Sequence, residues 1–249
     1  MDNLPSALNN PSSITKDIVK RVSTSQIFRL TTLPAKYVAS PLGLPRKQDG
    51  TWRNVHRLSS PSGHSVNDYI PQAWGTHTYT GIDDAVAVVQ ACRTGAVLIK
   101  RDLADTFCRI PVDPDAWWLL GFGWMGTCWG DQFLPFGYGA SAAIFDLFAT
   151  DFEWILQTQR GWEHSLHYLD DFLAIFPHST ASDTPNRCKG DFSQICSDLG
   201  FRVKEEKNEE GYYMRFLGIQ IDTEGIEARR PPDKHQKATA LVNSTLAQH

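Results

Sequence analysis

The sequence predicts an α+β protein in which an antiparallel sheet packs on helices. Three observations carry that expectation. Short apolar runs meet at tight turns, as a hairpin does, at Gln48-Asp49-Gly50, at Met125-Gly126 and at Leu169-Asp170-Asp171. Segments with helical spacing lie between these hairpins, at Ile82–Cys92 and Ser141–Gln159. The order is hairpin, helix, strand, hairpin, helix, hairpin, helix, strands, a mixture that suits helices packed on an antiparallel sheet.

Each element has a local reason. Residues 1–30 are rich in Ser and Asn, with weak helical periodicity from Ile14 to Val22, and read as an N-terminal extension. Tyr37–Leu44 is extended, and Thr51–Leu58 returns as a strand after the Asp-Gly turn. Ser59–Asn67 is turn-rich. Ile82, Ala85, Val86 and Val89 share one helical face, Asp83 and Asp84 favour its first turn, and Gly95 closes it. Ala96–Ile99 is a buried strand running into Lys100-Arg101-Asp102. Asp113-Pro114-Asp115 is a turn, and residues 116–124 and 127–133 alternate as a Trp-rich hairpin. Ser165–Tyr168 and Phe172–Phe176 flank an acidic turn. Phe192–Leu199 is a helix stopped by Gly200, and Phe201–Val203 and Phe216–Ile221 are strands. Pro231-Pro232 ends the sheet, and Lys234–Leu246 starts another helix.

Composition narrows the function classes. With 41% hydrophobic and 21% charged residues over 249 positions, the chain can bury a sizeable core. The net charge of −4 argues mildly against a nucleic-acid partner, although the local stripe Arg46, Lys47, Arg53, His56 and Arg57 can bind phosphate. The five cysteines form no CxxC pair, so neither a disulfide framework nor a structural zinc site is expected. No opening charged-then-apolar segment and no run near 20 apolar residues occurs. The chain reads as intracellular, cytoplasmic or nuclear, with no membrane partner.

Two acidic features stand out. Asp102 ends an apolar strand, and Asp170-Asp171 occupies a hairpin turn between apolar strands. Adjacent strands of one sheet could bring the three carboxylates together, where they would repel one another unless a cation or solvent intervened. Oxygen ligands suit Mg²⁺ or Mn²⁺, and two such ions would clamp the attacking and leaving oxygens of a phosphoryl transfer. Asp also favours turns, so a solvated hairpin tip remains the other reading of Asp170-Asp171. Spacing leaves both open.

Tyr168-Leu169-Asp170-Asp171 has the form YxDD and resembles the catalytic hairpin of reverse transcriptases. Other blocks follow in that family's order. Lys100–Val112 resembles its first catalytic aspartate block, and Leu134-Pro135-Phe136-Gly137-Tyr138 the block that supports template and nucleotide. Leu199–Lys207 resembles the block after the hairpin, Phe216-Leu217-Gly218-Ile219 the primer grip, and Ser40–Lys47 through Trp52-Arg53 the fingers hairpin, which Ser59–Asp68 continues. The resemblance spans roughly residues 33–235 and is most similar to fungal DIRS-like retrotransposon reverse transcriptases. It implies the polymerase right hand, with fingers at about 31–95 and 113–135 and palm at about 96–112 and 136–232. Residues 233–249 would begin a thumb that is otherwise missing.

The resemblance also implies roles. Asp102, Asp170 and Asp171, with the Leu103 carbonyl, would hold two Mg²⁺ or Mn²⁺ ions. Lys47 and Arg53 would hold the triphosphate of a deoxynucleoside triphosphate. Phe107 would block a ribose 2′-hydroxyl, and Phe136 and Gly137 would lie near nucleotide and template. Lys207 would protonate the leaving pyrophosphate, although an acidic, solvated stretch is also an ordinary place for a surface lysine. Trp117, Trp118, Trp124 and Trp129 read as hairpin core in preference to base-stacking platforms, and Asp105 is not counted as a ligand. The implied function is primer extension on an RNA or DNA template.

The pattern has departures. Arg57 stands where related sequences usually carry an acidic residue, and Gly139–Ala143 replaces a segment that usually includes Ala-Pro. These changes, the short C-terminal end and the acidic balance favour an alternative: an inactive retrotransposon remnant that at most binds nucleic acid. The retained Asp102, Asp170, Asp171, Lys47, Arg53 and Phe107 speak for an active enzyme. An RNA-directed RNA polymerase with a similar palm is the third reading, and Phe107 opposes it, because such an enzyme must admit a 2′-hydroxyl.

Overall fold

The computed structural model describes residues 2–47, 50–75, 77–179 and 184–233, with 236, 239 and 245. Helices α1 (Pro5–Leu8) and α2 (Pro11–Ser23) lead into strands β1 (Ile27–Leu30), β2 (Leu42–Gly43) and β3 (Val55–His56). Helices α3 (Gln72–Gly75) and α4 (Ile82–Cys92) precede strand β4 (Val97–Ala104) and the pair β5 (Gly121–Trp124) and β6 (Thr127–Asp131). Helix α5 (Ser141–Arg160) is followed by β7 (Ser165–Tyr168), β8 (Asp171–Phe176) and α6 (Thr184–Leu199). Strands β9 (Arg202–Val203), β10 (Glu209–Gly211), β11 (Tyr213–Phe216), β12 (Ile219–Asp222) and β13 (Glu227–Arg229) complete the series. The chain forms two compact units, residues 1–77 with 105–147 and residues 78–104 with 148–249. No helix among the described residues is long and apolar enough to cross a membrane.

The first unit holds an antiparallel sheet in the order β1-β6-β5 and the two-stranded pair β2-β3. Its β5–β6 turn puts Met125 at φ +47° and Gly126 at φ +73°, the positive values that two-residue hairpins of primed type require. Residues 114–119 form a 3₁₀ turn where a turn at 113–115 and a strand from 116 were expected, because the Asp113 side chain accepts from the Asp115 amide and Pro114 suits a helical first position.

Residues 1–30 are not an appendage to this unit. Ile27–Leu30 pairs with Cys128–Asp131, and Ile14 and Ile18 of α2 are buried with Leu42, Leu44, Phe122 and Trp124. The sequence signal was weak because α2 buries only Ile14 and Ile18 and shows Ser, Thr and Lys to solvent. Gln48 and Asp49 of the expected fingers turn lie outside the described residues. On its near side, Gly50 takes φ +83° and its amide donates to the Lys47 carbonyl.

Gly137 is required by close approach. Its φ is +114°, and a Cβ there would stand 1.9 Å from the His56 carbonyl oxygen. The His56 amide in turn donates to the Phe136 carbonyl at 2.9 Å. No other residue type allows the two backbones so near one another.

The second unit is built on a sheet ordered β10-β4-β8-β7, with β9 pairing the same edge of β4 as β10 but further along it. Alternation along the strands separates two faces. On one, Leu98, Leu173 and Ile175 pack with Ala85 and Val89 of α4 and with Met214, Phe216 and Ile221. On the other, Phe172 meets Phe152 of α5 at 4.9 Å and Phe192 of α6 at 5.4 Å between ring centroids.

Two boundaries differ from the sequence expectation. Helix α6 starts at Thr184, not Phe192, because Asn186, Arg187, Lys189 and Gly190 dilute its first turns while Cys188 is still fully buried. Phe216–Ile221 is not one strand: Leu217 (φ +48°) and Gly218 (φ +80°) form a turn, and Phe216 pairs with Ile219. A run of apolar residues hid that reversal. The helix expected from Lys234, and with it the start of a thumb at 233–249, lies largely outside the described residues.

Two glycine substitutions should separate steric need from tolerance. Gly137→Ala should cost about 3 kcal/mol or more. Gly190→Ala, with no atom near its missing Cβ, should add about 1 kcal/mol by helix propensity. Denaturant unfolding reads both.

Candidate active site

In the second unit the register places Asp102 of β4 directly opposite Asp171 of β8. By alternation both lie on the face that carries Leu98, Leu173 and Ile175. The Asp102 side chain is fully buried, and its carboxyl lies within hydrogen-bonding reach of Asp171. Asp170 precedes β8 in the loop Leu169-Asp170, and its carbonyl accepts from the Leu103 amide at 3.0 Å. The loop is tight: Tyr168 pairs with Asp171 across it, and Leu169 takes φ +53°. A positive φ in a branched residue costs on the order of 1 kcal/mol and persists where the surroundings enforce it.

Lys207 completes the cluster. After β9, a short 3₁₀ turn at Glu205–Lys207 is anchored by the Lys204 amide on the Asp102 carbonyl at 2.8 Å. This brings the Lys207 ammonium to 2.7 Å from Asp102 Oδ2. Asp102 Oδ1 is buried with no hydrogen-bond partner.

The electrostatics follow from burial and like charge. Burial, then the charge of Asp102, raises the Asp170 carboxyl above its ordinary value. Asp171 is pushed up to about 7 by burial, by its hydrogen bond with Asp102 and by the charges of Asp102 and Asp170, with Lys207 opposing. Burial works to lower the Lys207 ammonium, but its bond to Asp102 and the neighbouring carboxylates together raise it.

A second group of expected residues comes together in the first unit. The Arg53 guanidinium lies over the Phe136 ring at 4.9 Å. Phe136 meets Phe107 at 5.1 Å, and Phe107 meets the Phe145 ring edge-on at 5.9 Å. Phe107 opens a 3₁₀ turn at Phe107–Arg109 and is half-buried. Gly137 holds this segment against β3, as described above. Lys47 lies on the hairpin that carries Arg53 and is exposed; the Arg53 amide donates to the Pro45 carbonyl, and the Lys47 amide to Thr51. Trp124 is buried and Trp129 packs against the same core, so these rings serve packing. Phe145, and the contact of Arg53 with Phe136, were not anticipated from the sequence; neither has a local signal, because the contact joins segments about eighty positions apart.

The residues fit a divalent cation in donor chemistry. Three carboxyls supply hard oxygen donors, and the buried Oδ1 of Asp102 lacks a partner that a cation would provide. No three His, Cys, Asp or Glu side chains among the described residues form a ready-made metal centre.

Comparison with known proteins agrees with the fold. Residues 45–221 match the family described as reverse transcriptase (RNA-dependent DNA polymerase). The chain therefore belongs to the reverse transcriptase family. It is 26% identical over 182 residues to the Pro-Pol polyprotein of Simian foamy virus type 1, across 72% of this chain and 14% of that polyprotein. The foamy viral protease-reverse transcriptase solved with double-stranded DNA matches at a TM-score of 0.72 and 21% identity, over 95% of this chain and 44% of that one. The same kind of protein solved with an RNA/DNA hybrid matches at 0.69 and 21%, over 95% and 29%. The fold is thus that of reverse transcriptase fingers and palm. The chain spans about one seventh of the curated relative's length and less than half of these solved chains.

The raised Asp171 pKa gives a signed expectation. The folded state holds this proton more tightly than the unfolded chain, so stability falls as pH rises from about 4 to about 7 and then levels. Asp171→Asn should flatten that decline in a metal-free thermal-unfolding series; an unchanged slope would place the proton elsewhere.

Proposed function

We propose that this chain is the fingers-and-palm core of an RNA-directed DNA polymerase, extending a primer on an RNA or DNA template with deoxynucleoside triphosphates. The observation that carries the reading is the pairing of Asp102 with Asp171 across two central strands, beside Asp170 and Lys207. Fingers are read at about 31–95 and 113–135, and palm at about 96–112 and 136–232. Within the family, the sequence blocks favour a fungal DIRS-like retrotransposon origin and an intracellular setting.

Asp102, Asp170, Asp171 and the Leu103 carbonyl are the groups that would hold two Mg²⁺ or Mn²⁺ ions. Such ions lower the pKa of the primer 3′-hydroxyl and neutralise charge on the triphosphate. The chain's own residues do the rest. Arg53 holds its guanidinium over the Phe136 ring, where its donors serve phosphate oxygens, and the exposed Lys47 adds a point charge. Phe107 is held by Phe136 and Phe145, so its ring is a fixed wall against a ribose 2′-hydroxyl. Phe136 and Gly137 form the floor for nucleotide and template. Lys207, held on Asp102 before substrate arrives, is the proton donor for the leaving pyrophosphate.

Primer extension on an RNA template at low salt, with Mg²⁺ or Mn²⁺, tests this reading. DNA synthesis that disappears in Asp171→Asn supports it. Silence in the wild-type chain, persisting after a related thumb is appended, would favour the inactive remnant. Phe107→Val should raise ribonucleotide use relative to deoxyribonucleotide, on the order of tenfold or more; an unchanged ratio removes Phe107 from the gate.

A further inference from the structure

Arg21 of α2, Asp131 of β6 and His56 of β3 form a buried polar chain in the first unit, about 110 and 75 positions apart in sequence. The Arg21 guanidinium donates to Asp131 Oδ1, and His56 Nδ1 stands 2.9 Å from Asp131 Oδ2. His56 Nε2 lies 2.9 Å from the Gly121 carbonyl. The Asp131 side chain is fully buried and that of His56 is 2% exposed.

Both ring nitrogens of His56 face acceptors, so each contact needs a proton. A neutral imidazole has one. A neutral ring therefore donates at one of the two contacts. Burial pushes the imidazolium down to about 3, with the Gly121 hydrogen bond opposing and Arg21 assisting.

The same His56 is the backbone seat of the nucleotide floor. Its amide donates to the Phe136 carbonyl, and its own carbonyl is what the Gly137 backbone approaches too closely for any Cβ. Arg53, which stacks on Phe136, lies three residues before it. Polar atoms buried this deeply have few alternative arrangements, because an unmade contact leaves a desolvated charge.

We infer that Arg21, Asp131 and His56 are positioning residues: the chain of contacts from the N-terminal helix fixes β3 and thereby sets where Arg53, Phe136 and Gly137 stand. Arg21 lies outside the segment that matches the family, residues 45–221, so the nucleotide-binding surface depends on a helix beyond the matched core. This rests on the proposed polymerase reading only for its kinetic consequence.

The test compares Arg21→Met, Arg21→Lys and Ile14→Ala. Ile14 is a fully buried residue of the same helix with no part in the polar chain, so Ile14→Ala reports loss of packing alone. Arg21→Met should raise KM for the deoxynucleoside triphosphate on the order of tenfold with kcat little changed, and Arg21→Lys should restore most of it. Ile14→Ala, matched for loss of thermal stability by choice of temperature, should leave KM near the wild-type value. Hydrogen exchange at the His56 amide gives a readout independent of activity: Arg21→Met should deprotect it selectively. Equal kinetic effects of Arg21→Met and Ile14→Ala would overturn the inference, as would an unchanged KM in an active enzyme. If the wild-type chain makes no DNA even with a related thumb appended, the polymerase reading fails, and the exchange experiment still decides: selective deprotection upholds the coupling, and uniform deprotection in both variants overturns it.

Discussion

The second unit is organised around carboxyls that repel one another. A fully buried Asp102 faces Asp171 across a strand pair, with Asp170 one residue away. Burial and like charge both favour protonation, so the strands would separate or shift register unless something held them. What holds them is apolar. Leu98, Leu173 and Ile175 lock one face on α4, and Phe172 locks the other against Phe152 and Phe192. A register slip of one residue would turn every one of these side chains to the wrong face. The core thus keeps the acidic cluster in place.

The remainder of that unit follows from the need to bring a positive charge to Asp102. Strands β9 and β10 share one edge of β4, and the turn between them carries Lys207. Lys100 and Arg101 of β4 pair with Glu209 and Glu210 of β10 along that edge. These pairs differ in burial: the Lys100 and Arg101 side chains are nearly covered, whereas their glutamates are half exposed. Exposed ion pairs contribute little. The partnership that matters is the one between Lys207 and the buried Asp102, because removing the lysine would leave a desolvated carboxylate without its only cationic hydrogen-bond donor among the described residues.

The sequence revealed the parts of this arrangement that are local. Helix α4 and the turns at Met125-Gly126 and Leu169-Asp170 were legible because spacing, caps and turn residues act over a few positions. The acidic and aromatic candidates were legible because of ordered motif blocks; spacing alone had left Asp170-Asp171 as either a ligand pair or a solvated tip. The start of α6, the reversal at Leu217-Gly218 and the 3₁₀ turn at 114–119 were not, each for a stated local reason: diluted periodicity, a continuous apolar run, and a helical signal mistaken for a turn into a strand. Least legible was α2. A helix that buries two isoleucines has the periodicity of a solvated segment, and its importance lies in Arg21, whose partner is 110 residues away.

That last case shows where physical constraint and pattern separate. Asp131 sits in a strand beside Trp129 and Gly130, where an apolar residue would pack without needing any partner. An ion pair buried in that place stabilises no more than well-packed hydrocarbon would, and removing one member is costly because the others are left desolvated. Its consequence is geometric. Arg21, Asp131, His56 and the Gly121 carbonyl are linked by contacts in one arrangement, and in that arrangement the β3 backbone meets Phe136 and Gly137. A floor that must place a planar guanidinium and an aromatic wall gains from a support with a single solution, whereas an apolar support would tolerate several.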